Sequence, residues 1–188
     1  RSWPTTRTYA GTKGIGIEEL ILADDGISAD ILCDATTAHV HPSLLKMALK
    51  CKGIEKLCLI TDAMVSAGLP CGEHKMFDGQ SVFTTPKEDV ARLADGGLCG
   101  SVMSMRGALY TFIKHTGVST ETALAIASEA PARAIGIFDR KGSLAHGKDA
   151  DLVLLDRDLS VQSVMIGGRF QFNQRGCASN RQAAGEAK

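Results

Sequence analysis

The stretch Leu57-Cys58-Leu59-Ile60-Thr61-Asp62-Ala63-Met64 decides the fold class. Four apolar residues follow one another without alternation, as a parallel strand covered on both faces requires, and the run stops at a threonine and a carboxylate. Parallel sheets of this kind place their chemistry at the carboxyl ends of the strands, so Asp62 stands where a catalytic group belongs. The purely structural alternative is that Asp62 caps the turn or helix that follows.

Working outward, Ala29 to Cys33 is a second apolar run, and it ends at Asp34. Between the two runs, Pro42 to Lys50 has helical spacing, with Leu44, Leu45, Ala48 and Leu49 on one face. Downstream, Gly68 to Asp89 is an insertion in which Gln80-Ser81-Val82-Phe83-Thr84 suits a hairpin strand, and Val90 to Leu98 leads into a turn at Gly100-Ser101. Val102 to Thr116 reads as a long helix, with Met105, Ala108, Leu109, Phe112 and Ile113 inward and Gly117 as C-cap. Ser119, Thr120 and Glu121 open a further helix through Ala130, which Pro131 ends. This alternation predicts an α/β fold with crossover connections. Two successive strands ending in Asp34 and Asp62 favour part of a (β/α) barrel of the TIM type over an open doubly wound sheet. No Gly-x-Gly-x-x-Gly follows any of these strands, so the signature of a dinucleotide fold is missing.

The tail has a different texture. Lys141 to Asp151 carries turn glycines, Leu152 to Asp156 is a strand, and Val161 to Ile166 is another, closed by Gly167-Gly168-Arg169. The expected division is a partial barrel over residues 14–136 and a small β subdomain over residues 137–172. Residues 1–13 and 173–188 are expected to be poorly ordered or unassigned, with fraying from Gly176 to Lys188. The chain opens on Arg1-Ser2-Trp3-Pro4 with no initiating Met, which fits a fragment or a processed piece.

Composition narrows the function classes. At 188 residues, 44% hydrophobic and 22% charged, the chain can bury a sizeable core. Its 21 basic and 21 acidic residues balance, and no basic stripe interleaves with aromatics. That argues against nucleic acid or an anionic membrane as partner and for a small polar or singly charged ligand. The six cysteines (Cys33, Cys51, Cys58, Cys71, Cys99 and Cys177) form no paired C-x-x-C set, a usage that suits the cytoplasm. No apolar stretch approaches bilayer length, and Arg1 to Thr12 lack a signal-peptide core.

Five segments in order carry a family resemblance: the strand ending in Asp34 with A-H-V-H-P at Ala38 to Pro42, L-I-T-D-A-M at Leu59 to Met64, L-C-G-S at Leu98 to Ser101, A-P-A-R-A-I-G at Ala130 to Gly136, and G-K-D-A-D-L-V-L-L-D at Gly147 to Asp156. The last resembles the closing signature of the amidohydrolase superfamily, whose barrels carry a small β-sandwich built from both chain ends. The T-D-A segment with the following A-G-L-P and L-C-G-S is similar to the N-acetylglucosamine-6-phosphate deacetylase family within it, and the resemblance covers about Gly14 to Phe170. It implies the C-terminal part of a TIM-type barrel and hydrolysis of the N-acetyl amide of a sugar phosphate in amino-sugar catabolism. It implies Asp62 as the catalytic acid/base and His39, Leu98, Cys99 and Gly100 as substrate-binding residues. It also implies a divalent metal, zinc or similar, whose glutamate and histidine ligands precede the matched region, so that no metal ligand is assigned in this chain.

Two details qualify the match. Where the family usually has D-G-x-H-V, this chain has D-A-T-T-A-H-V, which sets Asp34 two residues further from the histidine. His41 invites an H-x-H metal pair with His39, since alternate residues of a strand share a face, but V-H-P reads as a loop entering a helix. The resemblance also implies an arginine near this point that holds the sugar phosphate, for which Arg7 is the nearest candidate, the alternative being a solvated surface residue. The competing functions are a different amidohydrolase, such as a cyclic-amide hydrolase, and a non-catalytic remnant serving binding or oligomerisation. Apolar strands with unpaired edges predict a homo-oligomer or a missing N-terminal half as partner.

Overall fold

A computed structural model describes residues 7–9, 12–14 and 16–173. Strand β1 (Arg7–Tyr9) pairs antiparallel with β2 (Thr12–Gly14), which places Arg7 opposite Gly14. Helix α1 (Ile17–Ala23) is too short to hold itself, and a helix end leaves carbonyls unpaired. The ammonium of Lys52 answers two of them, donating to the carbonyl oxygens of Ile21 at 2.8 Å and of Asp24 at 2.6 Å.

The centre of the fold is a β-α-β unit. Strand β3 (Ala29–Leu32) runs parallel to β4 (Leu57–Ile60), with Ala29 opposite Leu57 and Leu32 opposite Ile60, and helix α2 (Pro42–Lys56) makes the crossover that parallel strands need. α2 runs six residues beyond the expected Lys50 because its backbone breaks only at Gly53 (φ +63°), where a left-handed residue turns the chain into one last turn before β4. β4 is buried at Leu57, Cys58 and Leu59, which accounts for its unbroken apolar run.

The insertion is more ordered than its sequence suggests. Strands β5 (Gly72–Lys75), β6 (Ser81–Thr84), β7 (Val90–Leu93) and β8 (Leu98–Ser101) form one antiparallel sheet in that order. The L-C-G-S segment is therefore a strand and not the turn read from its glycine. Its end crosses to the central unit, where Ser101 bridges Ala63 in parallel sense. Helix α3 (Met105–Thr116) starts three residues after the expected Val102 because the Ser104 side chain accepts the Gly107 N–H and sets the N-cap there. Gly117 closes it in the left-handed conformation (φ +77°), as its position predicts.

Helix α4 (Thr120–Ala134) is capped by Ser119, but Pro131 does not end it. Ala130 and Ala132 are buried on either side of the proline, and the helix closes one turn later in a Schellman arrangement: Gly136 N–H donates to Arg133 O and Ile137 N–H to Ala132 O. α4 lies against β4 and α2, and the fully buried Leu45, Leu57, Leu59, Phe112, Ala123 and Ile126 form the heart of the core.

The tail makes a three-stranded antiparallel sheet, in the order β11-β10-β9, from β9 (Leu152–Leu155), β10 (Val161–Ile166) and β11 (Arg169–Asn173). It is joined to the core through Leu159 and through Arg106, whose Nε donates to Leu159 O at 2.8 Å. The G-K-D-A-D segment ties that sheet to the end of α4. Asp149 pairs with Arg140 and Lys141, while Asp151 pairs with Lys141 and accepts the Gly167 N–H. The expected fraying from Gly176 to Lys188 lies outside the described residues.

Candidate active site

Asp34 and Asp62 leave neighbouring parallel strands two residues beyond the registered pair Leu32 and Ile60, so both stand at the carboxyl end of the central unit. Their environments differ completely. The Asp34 side chain is buried and surrounded by donors: Oδ1 accepts from Thr36 Oγ1 at 2.7 Å and Ala38 N at 2.8 Å, and Oδ2 accepts from His39 N at 3.0 Å and lies 3.1 Å from the ring nitrogen His39 Nδ1. Burial pushes the carboxyl group up, but these hydrogen bonds outweigh it and hold Asp34 below the usual carboxylate range.

Asp62 is exposed and sits in the left-handed region (φ +48°), a conformation uncommon for a residue with a side chain and tolerated best by Asp and Asn. Its carboxylate makes no hydrogen bond or ion pair with any described residue, and the N-caps of α2, α3 and α4 are His41, Ser104 and Ser119. The capping alternative for Asp62 thus has no counterpart among the described residues. What fixes Asp62 is its backbone. The Ser101 N–H donates to Asp62 O at 2.8 Å, the Met64 N–H donates to Ser101 O at 2.8 Å, and the buried Ser101 hydroxyl donates to Thr61 O.

Gly100 lets this happen. A Cβ on Gly100 would lie 2.7 Å from Asp62 O and 2.8 Å from Met64 Sδ, and the residue itself is left-handed (φ +68°). Gly100 and Asp62 are therefore in direct backbone contact. Leu98 is exposed and Cys99 half-buried on the same strand. His39 reaches the same end of the unit through its pairing with Asp34. His41 turns to other work: its Nδ1 accepts the Ser43 N–H at 3.2 Å and caps α2. Among the described residues no group of three or more His, Cys, Asp or Glu side chains is placed to hold a metal ion.

Three contributors escaped the sequence reading. The Thr36 hydroxyl and the Ala38 N–H follow Asp34 at the short spacings at which an Asp side chain folds a loop onto itself, so that clamp had a local signal. Asp89 had none. Its Oδ2 accepts the Ala35 N–H at 2.8 Å across 54 residues of chain, joining the inserted sheet to the Asp34 loop. Burial, Asp34 and Asp89 together push the Cys33 thiol up to about 12.

A sequence model of the Amidohydrolase family matches residues 77–170. The N-acetylglucosamine-6-phosphate deacetylase of Bacillus subtilis is 40% identical over 157 residues, which are 84% of this chain and 38% of that protein. A putative N-acetylgalactosamine-6-phosphate deacetylase of Escherichia coli K12 is 39% identical over 138 residues, 70% of this chain and 77% of its own length. Among solved structures, the N-acetylglucosamine-6-phosphate deacetylase of Thermotoga maritima superposes with a TM-score of 0.75 at 33% identity, covering 85% of this chain and 42% of that one. The chain spans about two fifths of the length of the B. subtilis and T. maritima proteins.

Proposed function

This chain belongs to the amidohydrolase family, and we propose that it forms the acid/base side of a deacetylase acting on N-acetylglucosamine 6-phosphate, releasing glucosamine 6-phosphate and acetate. The observation that carries the reading is Asp62: an exposed carboxylate at a parallel strand's carboxyl end, unpaired with any described side chain, on a backbone pinned by Ser101 and Gly100. Amide hydrolysis needs a base that takes a proton from water and an acid that returns one to the leaving amine. A carboxylate held by its backbone and free at its oxygens can serve both transfers without moving. His39 and the backbone of Leu98, Cys99 and Gly100 are proposed to line the sugar phosphate around it.

β3, β4 and the end of β8 are proposed as the last strands of a TIM-type barrel, and β9 to β11 as part of a small β-sandwich completed from outside this chain. The family's chemistry implies a divalent metal, and the residues described do not form its site: His41 caps α2 and His39 pairs with Asp34. Its ligands are proposed to lie in a missing N-terminal half, and no step is assigned to it. No helix among the described residues is long and apolar enough to cross a membrane, and the cytoplasm is the proposed location.

The test is acetate release from N-acetylglucosamine 6-phosphate and its N-acetylgalactosamine counterpart by the full-length protein, wild type beside Asp62→Asn. Turnover of the first sugar that collapses in the variant supports the reading. Unchanged turnover removes Asp62 from the chemistry, and turnover of the second sugar alone reassigns the substrate.

A further inference from the structure

The carboxylate of Asp34 does no chemistry in the reading above, yet it is the most heavily bonded side chain at the site. Both of its oxygens accept backbone N–H groups, from Ala38 and His39, so both act as acceptors, and a ring nitrogen facing one of them must carry its proton. That nitrogen is His39 Nδ1, 3.1 Å from Oδ2. In the neutral form of the ring, Nε2 is then the nitrogen without a proton and acts as an acceptor. His39 Nε2 is buried and makes no hydrogen bond with any described residue. A buried acceptor left unsatisfied costs about 1–3 kcal/mol, a cost that a group arriving with a ligand removes.

We infer that Asp34 is a positioning residue, which holds His39 as the Nδ1–H tautomer and presents Nε2 to a polar group of the bound sugar phosphate. The inference rests on the proposed function for the identity of that ligand and on this chain's own hydrogen bonds for the tautomer. It also gives the longer D-A-T-T-A-H spacing a purpose. The two extra residues form the loop whose Thr36 hydroxyl and Ala38 N–H fasten Oδ1, which leaves Oδ2 to the backbone N–H and the ring Nδ1 of His39. Asp89, through the Ala35 N–H, anchors the loop's start.

The deciding experiment is 15N NMR of imidazole-labelled full-length protein, with the His39 resonances assigned by their loss in His39→Gln. The expected spectrum has a protonated Nδ1 and an unprotonated Nε2. Asp34→Asn, which puts an amide donor among these N–H groups, should disturb that pattern, and added glucosamine 6-phosphate should shift Nε2 in the wild type. A wild-type ring protonated at Nε2, whether alone or together with Nδ1, overturns the inference even if Asp34→Asn fails to fold. A spectrum unchanged in Asp34→Asn does the same, as does bound glucosamine 6-phosphate that leaves Nε2 unmoved. In kinetics, Asp34→Asn should lower kcat/KM about 10- to 100-fold, and the double variant with His39→Gln should be no worse than His39→Gln alone. Additive losses would make Asp34 a loop fastener and nothing more. Absent deacetylation in the wild type would sink the proposed substrate while the tautomer result stands by itself.

Discussion

Asp34 and Asp62 are the same residue type in matching places on adjacent strands, and their surroundings bind the first into the structure and leave the second open for the proposed chemistry. Because the Asp62 carboxylate has no described partner, Asp62→Asn in the full-length protein should leave the melting temperature nearly unchanged, and under the proposed acid/base role it should lower turnover by about two to four orders of magnitude. Steady-state kinetics beside a thermal melt separates the two. Gly100→Ala should behave differently, since the added methyl meets Asp62 O and the backbone is left-handed. A loss of about 1–3 kcal/mol of stability together with reduced turnover is expected, measurable by denaturant titration. Asp34 contributes to acid stability with a definite sign. Its folded value lies below the ordinary 3.8, so its contribution is fully present above that pH and is lost as pH falls through the folded value. Acid unfolding followed by circular dichroism should therefore be shallower below pH 4 in Asp34→Asn. Of these residues, the placement of Asp62 was legible because a strand end announces itself in the chain. Asp89 and the contact at Gly100 were not, because each depends on which distant strand arrives beside it.

At the scale of elements, legibility tracks how local the determining forces are. The C-cap of α3 at Gly117 and the N-cap of α4 at Ser119 are decided by neighbours within a turn, and both stand where the residues suggest. β4 and β10 carry their own apolar signal. β5, Gly72-Glu73-His74-Lys75, does not: it is polar and largely exposed, and it is a strand only because β6 offers it a ladder. Pro131 misleads for a related reason, since its local penalty is outweighed by the burial of its neighbours against the core. The caps supply a direct check. Ser119→Ala removes the acceptor for the Thr122 N–H and should cost about 1 kcal/mol, read from chemical denaturation, with turnover intact.

For the whole molecule, the tail sheet is its most unsettled surface. Val153 pairs with Val164 and that residue with Phe172, and Val153, Leu154, Ile166, Phe170 and Phe172 are all exposed, so apolar groups face outward from adjacent positions that point to opposite sides. Residues 1–188 produced alone should self-associate in light scattering, and Phe170→Ser should weaken that association; a monodisperse wild-type monomer would contradict this. The bond from Ser101 N–H to Asp62 O has a consequence for the order of folding. It closes a loop that contains the entire inserted sheet, and loop closure must be met before such a contact stabilises anything. The carboxylate proposed for catalysis thus takes its final position late, after the helix caps and the central strand pair have formed. Substitutions at Ser101 and Gly100 should hasten unfolding far more than they slow refolding, leaving a chain that folds on time and holds its reactive geometry only briefly.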